Sequence, residues 1–87
     1  MFKQELEVRG IHRKSILQYV HELGGHSQTD SELFRGTDWE CCVSEESYFR
    51  FLQSDVPQVK VIFSSLNERS LQETIKKFRL KTFRAGG

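Results

Sequence analysis

His12-Arg13-Lys14 puts three basic side chains in succession directly ahead of an apolar pattern with helical spacing. A helix start carries unpaired backbone N–H groups and a partial positive charge. Basic side chains added to those N–H groups make a ready anion site, so His12, Arg13 and Lys14 are candidates for holding a phosphate or carboxylate. The plainer reading is a solvated first turn paired with acidic neighbours. Lys76, Lys77, Arg79, Lys81 and Arg84 form a second basic group. Cations suit the negative end of a helix, and they also suit phosphates or an acidic partner protein.

The other reactive residue types are poorly spaced for chemistry. His21 and His26 stand on either side of Gly24-Gly25, so no helix face joins them, and Cys41-Cys42 cannot chelate together from one strand. No metal site and no cofactor are expected. Cys41 reads as a core thiol and Cys42 as an outer-face one. Ser, His and Asp residues occur, but none in a nucleophile-elbow or glycine-loop context, so the chain does not read as an enzyme. Arg84-Ala85-Gly86-Gly87 ends the sequence in Gly-Gly. That ending is used by ubiquitin-like and sulfur-carrier proteins, and small residues at a frayed terminus explain it equally well. Ubiquitin-like folds begin with a hairpin, whereas this chain's first strand runs straight into a helix.

The 87 residues make one domain, 1–87, with seven Phe, one Trp and two Tyr to supply its core. The formal net charge of +1 argues against a dedicated polyanion binder. Its distribution is uneven: residues 1–75 carry a balance of −4 and residues 76–87 a balance of +5. No apolar run approaches the length of a membrane span, and no basic-plus-apolar leader follows Met1. Two adjacent cysteines make no disulfide framework, and the simplest setting is the reducing cytoplasm.

Positioning these groups requires strands and helices. Residues 2–9 alternate, with Phe2, Leu6 and Val8 against Lys3, Glu5, Glu7 and Arg9, and predict a first strand. Ile16, Tyr19, Val20 and Leu23 form one helical stripe, ended by Gly24-Gly25. His26 to Asp30 reads as a loop. Four strands follow, over 32–35, 39–45, 48–53 and 58–64, joined by turns at Gly36-Thr37-Asp38, Glu45-Glu46-Ser47 and Ser54-Asp55-Val56-Pro57. Gly36 is expected to supply a positive φ. Ser70-Leu71-Gln72-Glu73 signals a second helix as a capping box, with Asn67 a rival cap. The end is ambiguous: residues 78–84 continue the helix to about Leu80 or alternate as a closing strand.

The fold class is therefore α+β: an antiparallel sheet with two helices on one face, in the order β-α-β-β-β-β-α. The inner face would carry Leu6, Val8, Trp39, Cys41, Val43, Phe49, Phe51, Val59, Val61 and Phe63. The outer face would carry Glu5, Glu7, Glu40, Cys42, Ser44, Tyr48, Arg50, Leu52, Lys60, Ile62 and Ser64. Two helices cannot cover both faces, and antiparallel sheets tolerate one open face.

The order resembles the TATA-binding-protein-like fold group. Leu6-Glu7-Val8-Arg9-Gly10-Ile11 leading into the helix, Leu23-Gly24-Gly25 ending it, and Phe78-Arg79-Leu80-Lys81 near the close are similar to the C-terminal domain of MoaD-related proteins. The resemblance implies a small domain of unknown function that in the family follows a ubiquitin-like sulfur-carrier module related to molybdopterin synthase's small subunit. It brings no catalytic residues with it. On that resemblance the chain is expected to lack the carrier module, a departure that counts against a direct role in molybdopterin synthesis.

These readings converge on a non-enzymatic binding or accessory domain. Tyr48, Arg50, Leu52 and Ile62 on the open face, with Lys76, Lys77, Arg79 and Lys81, are the candidate partner-binding residues. A protein or a small anionic ligand is the expected partner, with self-association through the open face a further option. The alternative is a nucleic-acid-binding module that uses Tyr48, Arg50 and the C-terminal cations.

Overall fold

The computed structural model describes residues 1–27 and 32–86, and the side chains of these up to Phe83. Gln28, Thr29 and Asp30 of the expected loop, the Arg84 side chain and Gly87 lie outside the described residues. The elements are β1 (Phe2–Arg9), α1 (Arg13–Glu22), β2 (His26–Ser27), β3 (Leu33–Arg35), β4 (Glu40–Val43), β5 (Ser47–Phe51), β6 (Ser54–Ser65) and α2 (Glu68–Gly86). This is the predicted α+β order. The short strand β2, which pairs with β3, was expected to be loop.

The sheet is antiparallel throughout, ordered β1-β6-β4-β3-β2, with β5 also paired to β6. β6 is the spine. Its C-terminal half lies between β1 and β4, and its N-terminal half forms a hairpin with β5. Both helices pack on one face, so Ile16 and Val20 of α1 and Leu71, Ile75 and Phe78 of α2 share one core with Val59, Val61 and Phe63 of β6. Phe63 sits at its centre, with its ring centroid 5.9 Å from that of Trp39 and 5.2 Å from that of Phe78.

Backbone chemistry explains the helix limits. The Gly24 N–H donates to the His21 carbonyl and the Gly25 N–H to the Val20 carbonyl, each at 3.0 Å. Those two bonds, with Gly24 at φ +99°, are a glycine-terminated helix end. Asn67 is the cap of α2: its Oδ1 accepts from the Arg69 N–H at 2.8 Å and the Ser70 N–H at 3.2 Å. The capping box expected at Ser70 is thus superseded, since Ser70 is already inside the helix. α2 also runs past Leu80 to Gly86. Lys81, Arg84 and Ala85 favour helix in that stretch, and Lys81 Nζ is anchored to Glu22 Oε1 of α1 at 2.7 Å.

Three expectations are corrected. Gly36 does not have a positive φ; among the described glycines only Gly10 and Gly24 do. Gly36 is required for space, because a Cβ there would stand 2.2 Å from Trp39 Cε2. The turn placed at 54–57 is part of β6, and the hairpin turns at Leu52-Gln53, where Leu52 takes φ +58°. Pro57 is tolerated inside β6 because its carbonyl faces Gly10 beyond the end of β1, so its missing N–H costs no bond to β5.

The third correction concerns Glu45-Glu46-Ser47, which is not a turn. β4 and β5 run along the same side of β6, with Val43 opposite Val61 and Ser47 opposite Gln58. Residues 44–46 therefore face only residues 59–60, and the extra residue is a β-bulge. One inserted residue inverts which side chains face the core. Tyr48 pairs with Pro57 and Arg50 with Asp55 on the helix side, whereas Phe49 pairs with Val56 on the outer side, and Phe51 with it. The expected inner placement of Phe49 and Phe51, and the outer placement of Tyr48 and Arg50, are reversed.

Candidate functional site at the bulge and the helix start

Ser44 makes the bulge. Its N–H keeps the ladder bond to the Lys60 carbonyl at 2.9 Å, but the Lys60 N–H donates to Ser44 Oγ, also at 2.9 Å. The Ser44 carbonyl turns out of the ladder and accepts from Arg13 Nε at 2.9 Å. A hydroxyl thus replaces a carbonyl in the sheet, and the freed carbonyl ties the bulge to α1.

The bulge delivers Glu46 to the start of α1. Glu46 Oε1 accepts the Arg13 backbone N–H at 2.7 Å, and its carboxylate lies 3.3 Å from His12 Nδ1. The Tyr48 hydroxyl donates to Glu46 Oε2. His12, the residue before the helix, offers no side-chain cap, so the cap comes from a residue 33 positions away. The Tyr48 hydroxyl first, then the Arg13 N–H and His12, hold the Glu46 carboxyl down at about 2. The same hydrogen bond raises the Tyr48 phenol.

These contacts locate the expected anion site. His12 and Arg13 surround a carboxylate, and that carboxylate is the chain's own Glu46. An external anion there has to displace it. Lys14 is exposed, one residue further along the helix. Nothing local in the sequence marks a cap drawn from the next layer; the acidic pair Glu45-Glu46 is the only trace, and it also fits a turn.

The partner-binding candidates are dispersed. Tyr48 and Arg50 face the helix side of the hairpin, and Ile62 faces the outer side beside Cys42. Leu52, 85% exposed, forms the hairpin tip next to Phe51, 60% exposed. Phe49 is covered on the outer face by Arg9, whose guanidinium carbon lies 4.8 Å from the ring centroid. Lys81 is engaged with Glu22. Lys76, Lys77 and Arg79 are exposed on α2.

A groove of about 570 Å³ runs between β1 and the C-terminal half of α2, lined by Leu6, Val8, Ile11, Phe78, Arg79 and Phe83 among others. It continues into a second hollow that shares Arg79 and Phe83 and adds Leu80. This surface was not read from the sequence, because α2 was expected to end near Leu80.

The His21 and His26 rings approach to 6.2 Å, edge to face. Among the described residues no group of three or more His, Cys, Asp or Glu side chains is placed to hold a metal ion. Cys41 is buried and Cys42 exposed, both as free thiols, and burial pushes the Cys41 thiol strongly up. Among the described residues no helix is long and apolar enough to cross a membrane.

No curated protein matches the chain. A family model described as archaeal MoaD-like protein matches residues 4–87. That match takes in both helices and every strand but the first two residues of β1, and the chain belongs to the archaeal MoaD-like family.

Proposed function

We propose that this chain is a non-enzymatic accessory domain that works alongside MoaD-type sulfur-carrier proteins in the reducing cytoplasm. It holds a protein partner on the uncovered face of its sheet. The carrying observation is the apolar character of that face at the hairpin: Phe49 and Val56 stand side by side, Phe51 follows them, and Leu52 closes the tip. Both helices pack on the opposite face, so neither covers these side chains, and Arg9 shields only Phe49. Exposed apolar surface of this kind is a feature of protein contact sites. Family membership supports the sulfur-carrier setting, and the free thiols of Cys41 and Cys42 support the reducing compartment.

The test is retention of a partner by the tagged full chain from native lysate treated with RNase and DNase. The double variant Phe51→Ser/Leu52→Ser serves as comparison, with its fold checked by circular dichroism. The expected result is a protein retained by the parent and lost by the variant. Retention by both, or loss of binding on nuclease treatment alone, removes this reading.

A further inference from the structure

β1 is a free sheet edge, unlike the two-residue β2 at the other end of the sheet. It is eight residues long and holds no proline or bulge, so its protection against pairing is the charge of Lys3, Glu5, Glu7 and Arg9 on the outer face. The Gly10 N–H bonds to the Pro57 carbonyl across β6, so Gly10 faces inward along the ladder. Backbone direction alternates. Lys3, Glu5, Glu7 and Arg9 therefore turn their N–H and C=O groups to the open side.

The helix layer overhangs this edge. Leu80 is 53% exposed and Phe83 78% exposed, beside the grooves that run along β1. An added strand would place its inner side chains under Leu80 and Phe83 while completing the β1 hydrogen bonds. The outer-face charges then select the strand. They read Lys3, Glu5, Glu7, Arg9: basic, acidic, acidic, basic. Glu7 and Arg9 are also paired to each other, which fixes both on that face.

A second copy does not match this array. Two antiparallel registers keep inner face with inner face over most of β1. One sets Lys3 against Arg9 and Glu5 against Glu7, so every pair is of like charge. The other sets Lys3 against Glu7 on either side of a Glu5–Glu5 pair and leaves Arg9 opposite Met1. Neither opposes all four charges with opposite ones, as a segment of order acidic, basic, basic, acidic does.

We infer that the β1 edge takes an extended segment of another protein, added as a further strand. That segment has basic residues opposite Glu5 and Glu7, acidic residues opposite Lys3 and Arg9, and apolar residues at the alternate positions beneath Leu80 and Phe83. Because the array is symmetric, the charges accept the segment in either direction. The site meets the hairpin face at Arg9, which lies over Phe49, and the two readings fail separately because Phe51 and Leu52 stand away from the β1 edge.

The test uses two synthetic peptides that alternate Val or Leu with charged residues. One has the charge order Asp-Lys-Lys-Asp and the other Lys-Asp-Asp-Lys. NMR titration of the full chain is expected to show the first peptide shifting the Lys3, Glu5, Glu7 and Arg9 amides and slowing their hydrogen exchange. The second is expected to bind about tenfold more weakly. The exposed double variant Glu5→Lys/Glu7→Lys is expected to reverse that preference, and Phe51→Ser to leave it intact. Equal affinity for both peptides overturns the inference, as do shifts away from β1. Protection of the same amides by self-association without peptide also overturns it.

Discussion

The two halves of β6 share one strand and have opposite environments. From Val59 to Ser65 its inner side chains lie under both helices and are buried. From Ser54 to Gln58 the strand continues into a hairpin that no helix covers, and its side chains are exposed or half-buried. The pairing partner differs by one inserted residue. β4 keeps the phase of the core, and β5, after the bulge, inverts it. Alternation alone therefore makes a strand, and burial depends on what the layer above supplies.

Breaking the covered half should cost most. Phe63→Ala leaves a cavity between Trp39 and Phe78 and is expected to cost about 3–5 kcal/mol in chemical denaturation. The matched change in the uncovered half, Phe51→Ala, should stay within about 0.5 kcal/mol. Equal losses would abolish the contrast.

Overpacking the covered half comes next. Gly36→Ala drives a Cβ into the Trp39 ring and should cost about 1–3 kcal/mol, with a changed tryptophan emission as the accompanying sign.

The joint between the halves is a smaller lever. Ser44→Ala removes the acceptor of the Lys60 N–H and should cost about 1 kcal/mol. Loss of the Arg9–Phe49 NOE contacts in this variant would show the bulge shifting register, and their retention would show that the phase is fixed elsewhere.

The smallest effect is confined to acid. The Glu46 carboxyl is lowered from 4.5 to about 2 in the fold, so its contribution is complete above pH 4.5 and is lost as the pH falls towards 2. Glu46→Gln should flatten the stability profile across that window and leave its shape near neutrality unchanged. A profile identical to the parent's would mean that the cap carries no protonation-linked stability.

Much of the fold was legible because its signals are local. The stripe Ile16, Tyr19, Val20, Leu23 and the stop at Gly24-Gly25 define α1 within its own neighbourhood. So does the alternation Val59, Val61, Phe63, which needs only one covering layer. Asn67 and Ser70 were both visible as caps, and only the first-turn hydrogen bonds chose between them. The bulge was not legible: Glu45-Glu46-Ser47 fits a turn, and its role depends on a backbone N–H 33 residues away, at Arg13. The groove beside β1 was missed for a similar reason, since it needs Phe83 on a helix extended past Leu80.

By itself, then, the sequence determined an antiparallel α+β domain, its buried stripes, the stop of α1 and the charge order along β1, all set by the identities of near neighbours. Tertiary structure alone decided that His12 and Arg13 enclose Glu46, that Tyr48 and Arg50 turn towards the helices while Phe49 and Phe51 turn away, and that α2 overhangs a free edge. Each of these depends on register between distant segments, where one extra residue exchanges the faces of a strand and no local pattern records it.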